Sequence, residues 1–225
     1  MNIYGDMGNI ITFIKRLEWR GFRAQILPVE IGERVDWQSI DLVFGGGGQD
    51  SGQLVVGADL LKRGPHLREL AEDGVPMLVI CGLYQLFGRE FITFSGKRIA
   101  GVEVFKASTQ AGKARMIGNI VVKSTMGELV GFENHSGQTR LDSGQESLGR
   151  VQKGSGNNLK SGEEGAVTQS AIGTYLHGPI LPKNPKLADH LLLRAMQRRY
   201  GIDELQPLDD AVETVAAKIA AGRPR

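Results

Sequence analysis

Val75-Pro76-Met77-Leu78-Val79-Ile80-Cys81-Gly82-Leu83-Tyr84-Gln85-Leu86-Phe87 decides how this chain folds. Val75 to Ile80 is apolar without alternation, as expected of a strand covered on both faces of a sheet. It stops at Cys81-Gly82, and the apolar stretch Leu83 to Phe87 starts a helix. Upstream, Ile40-Asp41-Leu42-Val43-Phe44 is a second buried strand that runs into Gly45-Gly46-Gly47-Gly48. Residues 51–72 between them carry helix-like material interrupted at Gly64-Pro65. Strand, helix, strand, helix predicts an α/β fold with a mostly parallel central sheet flanked by helices.

Further out, Ile10, Phe13, Ile14 and Leu17 recur at helical spacing ahead of Gly21, which predicts a helix over 9–20 and a short strand from Arg23 to Val29. Ile117 to Lys123 and Leu129 to Glu133 are short strand candidates. In residues 137–165 the large aliphatics are Leu141, Leu148, Val151 and Leu159, and the reading there is loop or weak hairpin. Ala171 to Leu176 resumes a strand closed by His177-Gly178-Pro179. Helices follow over 186–200 and about 207–221. Neither a repeat nor a linker divides the chain, so 1–225 reads as one domain ending in helices over about 186–221.

Composition excludes several classes. The 225 residues are 41% hydrophobic and 23% charged, enough for a well-buried core. With 27 Lys and Arg against 25 Asp and Glu, the net charge of +2 argues against a nucleic-acid binder. The 31 glycines follow no Gly-X-Y period, which excludes collagen. A single cysteine excludes an internal disulfide framework and a multi-cysteine zinc site. The N-terminus lacks a basic region followed by an apolar one, and no run of about 18 apolar residues occurs. The expectation is a cytoplasmic protein without membrane insertion.

Cys81 is the first candidate for chemistry. A lone cysteine is by default a small buried hydrophobe, but this one ends a buried strand, precedes glycine and opens a helix. That is the strand-to-helix elbow that presents a nucleophile at the carboxyl edge of a sheet, where a helix N-terminus is expected to lower the thiol pKa. Such a thiol needs a base, and imidazole is the usual one near neutral pH. His66 and His190 read as surface residues. His135, in Gly131-Phe132-Glu133-Asn134-His135, either lines a site or is a hydrogen-bonded structural residue. His177 terminates a second strand and is expected at the same sheet edge as Cys81. Gly45 to Gly48 bares backbone N–H groups for a phosphate or an oxyanion, and beside Cys81 an oxyanion hole shared with Gly82 is the better reading. No Gly-x-x-x-x-Gly-Lys-[Ser/Thr] is present, so the chain has no P-loop for ATP.

Phe44-Gly45-Gly46-Gly47-Gly48-Gln49-Asp50, Cys81-Gly82-Leu83-Tyr84-Gln85-Leu86-Phe87-Gly88, Gly131-Phe132-Glu133-Asn134-His135 and Gly173-Thr174-Tyr175-Leu176-His177-Gly178-Pro179 together resemble a class I glutamine amidotransferase of the CobB/CobQ type. The resemblance spans residues 2 to about 200 and implies a flavodoxin-like fold. It implies that Cys81 attacks the side-chain amide of L-glutamine to give a glutamyl thioester and ammonia, with His177 as base and acid. It further implies an oxyanion hole at Gly46, Gly47 and Gly82 and a substrate-holding role for Arg115, whose guanidinium fits a carboxylate in bidentate fashion. Gln85, Asn134 and His135 are possible lining residues, and no metal is expected.

Within this family the likeness is strongest to free-standing glutaminase subunits that pass ammonia to a Mur-ligase-like synthetase of the MurT type. That partner would carry the ATP and Mg and amidate D-glutamate of the peptidoglycan precursor lipid II. The alternatives are a glutaminase for cobyric acid or cobyrinate amidation, and a binding subunit that keeps the fold without the chemistry. Three departures stand out. Leu83 replaces a frequent second glycine. Pro179 occupies the place of the glutamate that often orients the histidine, so the third acid is expected from the partner. Relatives also tend to carry a strand ahead of the stretch matching Asn2 to Asn9.

Overall fold

A computed structural model describes residues 5–48 and 50–224. In chain order these form α1 (Met7–Glu18), β1 (Val43–Gly45), α2 (Asp50–Glu72), β2 (Met77–Ile80), α3 (Gly82–Phe87), β3 (Glu90–Ile92), β4 (Arg98–Ala100), β5 (Ala107–Ser124), β6 (Gly127–Leu141), β7 (Gly149–Lys153), β8 (Glu163–Glu164), β9 (Ala166–Thr168), β10 (Ala171–Thr174), α4 (Pro185–Tyr200) and α5 (Ala211–Gly222). The strands make two sheets. The first runs β1-β2-β10-β9 and is parallel across its first three members, with β9 antiparallel at one edge. Every residue of β2 and β10 is buried, which is why both read as continuous runs without alternation. Since β1, β2 and β10 point the same way, the segments leaving Gly45, Ile80 and Thr174 emerge at one edge.

The second sheet runs β4-β3-β5-β7-β8, with β6 on the other side of β5, and is antiparallel apart from the β3–β5 pair. It joins the first where Phe132 and His177 exchange backbone hydrogen bonds of 3.2 and 2.8 Å. Helix α1 is fastened by Arg16, whose buried guanidinium forms ion pairs of 2.6 Å with Asp189 of α4 and with Asp210 just ahead of α5. Burial opposes that charge, but the two carboxylates outweigh it and hold the guanidinium protonated well beyond its ordinary range.

Several sequence expectations are corrected. Residues 23–29 form no strand: Pro28 lacks an amide donor, and the segment is exposed throughout, so no face is anchored. Helix α2 is not interrupted at Gly64-Pro65 but runs through Pro65, because Leu60, Leu67, Leu70 and Ala71 bury into the core on both sides of it. Residues 137–165 are not one loop; they include the end of β6, all of β7 and all of β8. Their pattern was hidden because β6 buries Glu133, His135, Gly137 and Thr139 on the face where a strand ordinarily presents aliphatics. The last helix starts at Ala211 rather than 207, after Pro207, with the Asp209 carboxylate accepting from the Ala211 N–H at 3.0 Å.

Candidate active site

The junction of β2 and α3 places Cys81 at φ 51°, ψ −106°, a positive-φ conformation that non-glycine residues seldom adopt. Its N–H donates to Thr174 O of β10 at 2.8 Å, so the neighbouring strand fixes the turn. This is the strained elbow that displays a side chain above a sheet edge. Gly82 is required there, since a Cβ would lie 2.8 Å from Gly48 O. Leu83, the departure from the family pattern, folds over Gly45, where a Cβ would lie 1.8 Å from a Leu83 methyl. The elbow thus accommodates Leu83 because position 45 has no side chain.

His177 reaches the same place from β10. A Cβ on Gly47 would lie 3.2 Å from His177 Cε1, 3.5 Å from Cys81 Cβ and 3.5 Å from Asp6 Oδ2. Thiol, imidazole, carboxylate and glycine backbone therefore surround one point. Gly46 and Gly47 are buried in that cluster. The Gly47 N–H donates to Asp6 Oδ2 at 2.6 Å, so in this conformation it is not open to an oxyanion, contrary to the sequence expectation. Gln49 lies outside the described residues.

The thiol also differs from expectation. Burial and the Asp6 carboxylate push it up to about 12, against the Gly82 N–H and the Arg115 charge, which favour the thiolate. Helix α3 has only six residues, too little to offset desolvation. Cys81 therefore rests as a protonated thiol and must hand its proton to a base before it can attack anything.

The second sheet brings the remaining residues. Arg115 sits in the irregular part of β5, where pairing with β6 slips between Ala111 and Met116, and its Nε donates to Asn134 Oδ1 at 2.7 Å. It is exposed, yet its charge acts on both Cys81 and His135. His135 is buried, stacked on Tyr175 at 3.5 Å with Nδ1 3.0 Å from Gly137 O, and burial pushes it down to about 3. It is therefore neutral near pH 7. Gln85 is likewise held inside the scaffold: its Oε1 accepts from Gln53 at 2.8 Å and its Nε2 donates to Tyr175 Oη at 3.1 Å. His66 is exposed and stacks on Trp37.

The sequence reading passed over Asp6 and Glu164. Asp immediately before a helix reads as an N-cap, yet Asp6 makes no capping hydrogen bond to α1. Glu164 is buried under Thr174 and Tyr175, whose Oγ1 and N–H donate to its Oε1 at 2.6 and 2.7 Å. Burial raises its carboxyl to about 7. Among the described residues, no group of three His, Cys, Asp or Glu is arranged to hold a metal ion, and no helix is long and apolar enough to cross a membrane.

A thiol on a strained elbow beside an imidazole and a glycine-rich loop is the equipment for acyl transfer from an amide, and the family model for a CobB/CobQ-like glutamine amidotransferase domain matches residues 1–185. The chain belongs to this family. It is 38% identical to the Staphylococcus aureus lipid II isoglutaminyl synthase (glutamine-hydrolyzing) subunit GatD, over 99% of this chain and 91% of that protein. The corresponding subunit of Streptococcus pneumoniae is 36% identical over 90% of this chain and 79% of that one. A probable cobyric acid synthase from Methanocaldococcus jannaschii is 29% identical, but the match covers 61% of this chain and only 29% of that larger protein. Among solved structures, a glutamine amidotransferase superposes with a TM-score of 0.60 at 16% identity, covering 85% of this chain and 94% of the other. A glutamine amidotransferase from Thermotoga maritima gives 0.51 at 18%, with coverage of 97% and 88%. These likenesses establish the amidotransferase fold.

Proposed function

We propose that the chain, as a single glutaminase domain, is the glutamine-hydrolysing subunit of a lipid II isoglutaminyl synthase. The observation that carries the reading is the convergence of Cys81, at its positive-φ elbow, with His177 around Gly47. Near-full-length likeness to two such subunits, against partial likeness to cobyric acid synthases, favours lipid II over a corrinoid acceptor.

In this mechanism His177 takes the Cys81 proton as the thiolate attacks the δ-carbon of L-glutamine. Backbone N–H groups at Gly82 and Gly46 face the developing oxyanion, with Gly47 joining them when released from Asp6. The imidazolium returns its proton to the departing amine, the C–N bond breaks, and ammonia leaves. Water, deprotonated by the same imidazole, then cleaves the glutamyl thioester to glutamate and free thiol. Arg115 holds the substrate carboxylate from the β5 irregularity. Ammonia passes to a Mur-ligase-like synthetase that binds ATP and Mg and activates the D-glutamate carboxyl of lipid II. The soluble chain then acts in the cytoplasm.

The test is reconstitution with a Mur-ligase-like synthetase partner, supplying lipid II or a corrinoid acid as acceptor, with glutamine or with ammonium. Amidation of lipid II from both nitrogen sources is expected. Amidation of the corrinoid alone sinks the acceptor assignment, and absence of glutamine hydrolysis sinks the enzyme reading.

A further inference from the structure

Asp6 occupies the N-cap position of α1, yet its carboxylate makes no capping bond to that helix. Its Oδ2 instead accepts from the Gly47 N–H at 2.6 Å, in a buried hydrogen bond that spans 41 residues of chain. Oδ1 has no hydrogen-bond donor, and at 3.9 Å from His177 Nδ1 it is too distant to accept from the imidazole. Among the described residues, then, this fully buried carboxylate is held by one backbone donor, and that donor belongs to the glycine loop. A buried charge with so little compensation is costly, and helix formation does not account for it.

The loop in question faces the thiol, since a Cβ on Gly47 would lie 3.5 Å from Cys81 Cβ. An amide hydrogen already given to a carboxylate cannot also stabilise an oxyanion on the substrate. Two negative groups competing for one buried donor repel each other, so the carboxylate has to leave before the oxyanion can form there. Asp6 opposes the nucleophile as well: after burial itself, its charge is the largest influence keeping the Cys81 thiol protonated. Glu164 of β8 adds weakly to that effect, while the Gly82 N–H and Arg115 of β5 act against it.

Asp6 is aimed at the loop by the way α1 is docked. Gly8, in the first turn, packs so closely on Pro179 that a Cβ would lie 2.5 Å from its ring, and Asn9 Oδ1 accepts from Leu181 N at 2.9 Å. The helix rests mainly on α4 and on residues 181–183, not on the strands that carry Cys81 and His177. Its first turn can therefore shift, and withdraw the carboxylate, while the elbow stays in place.

We propose that Asp6 is an autoinhibitory latch: its carboxylate occupies the Gly47 N–H that the oxyanion of the glutamine adduct requires, and formation of the complex with the synthetase withdraws it. The lone chain is thereby kept from wasting glutamine. The latch rests on the glutaminase reading above and describes how that same site is regulated.

Asp6→Ala removes the acceptor, and Asp6→Asn keeps an oxygen for Gly47 without the charge. Glutamine hydrolysis is measured for wild type and both variants, each alone and in complex with the Mur-ligase-like synthetase, with folding checked by thermal melts. Hydrogen exchange at the Gly47 amide is followed by NMR in the wild-type chain alone. Expected are a kcat for lone Asp6→Ala about 10- to 100-fold above that of the lone wild type, within what one oxyanion donor is worth, and a smaller rise for Asp6→Asn. The stimulation gained on adding the synthetase should shrink by the same factor, and the wild-type Gly47 amide should be protected from exchange. A folded Asp6→Ala chain that alone is no faster than wild type overturns the latch. So does a Gly47 amide that exchanges freely in the lone wild type, a measurement that stands even if the variants do not fold. Absence of glutamine hydrolysis by the wild-type complex fails the glutaminase reading instead.

Discussion

The two sheets contribute to the site by different means. The parallel β1-β2-β10 edge holds Cys81 and His177 by backbone: a ladder hydrogen bond, a positive-φ turn, and glycines with no room for a side chain. The antiparallel β5–β6 ribbon brings Arg115 and Asn134 by side chain, at a point where its own register slips. Rigid backbone suits groups whose chemistry tolerates little displacement, while a break in a ladder re-aims a long side chain toward a ligand. The contrast implies that damage to the first sheet abolishes turnover or folding, and damage to the second weakens substrate capture.

The largest effect tests the first half of that contrast. Cys81→Ser and His177→Ala should each lower glutamine hydrolysis by about 10⁴-fold or more, while amidation from ammonium in the complex persists. If either variant keeps glutamine-dependent turnover, the parallel edge is not the chemical half. Next comes Gly173→Ala in β10, where a Cβ would lie 2.1 Å from the Tyr84 ring and 2.7 Å from Phe105. Overpacking of this kind should destabilise the fold by about 3 kcal/mol, read by denaturant unfolding. Arg115→Ala sharpens the other half: KM for glutamine should rise about 10- to 100-fold with the fold intact, and Arg115→Lys should restore little of it, lacking a bidentate fork. A change in kcat alone would move Arg115 out of substrate capture.

The smallest effect concerns Glu164, at the seam between the two sheets. Its folded-state carboxyl, raised by burial to about 7 from 4.5, holds its proton more tightly than the unfolded chain does. The stability this contributes is complete below about pH 4.5 and is lost as pH rises through about 7, on the order of 1–3 kcal/mol. Glu164→Gln keeps the oxygen that Thr174 and Tyr175 donate to and should flatten this decline in a thermal melt series. An unchanged slope would place the pH dependence elsewhere.

The same division governs legibility. β2 and β10 were readable because a strand buried on both faces is apolar at every position, and their ends point directly to Cys81 and His177. The β5–β6 ribbon was only half readable, since its buried face carries Glu133, His135 and Thr139, satisfied by the backbone N–H groups of Ser155 and Gly156, by Gly137 O, and by Thr109 and Tyr175. Polarity ordinarily marks a surface, and only the partners reveal burial. Asp6 was passed over for a similar reason, because in the local sequence it has the form of a helix cap.

By itself, then, the sequence determined the parallel sheet, the elbow, the two residues of the proposed chemistry and the family motifs, all features written in runs of neighbouring residues. Tertiary structure alone decided that the Cys81 thiol rests protonated, that the Gly47 N–H is engaged by Asp6, and that Arg23 to Val29 finds no ladder. Each of these depends on desolvation or on a partner distant along the chain, and burial and long-range pairing have no local signature.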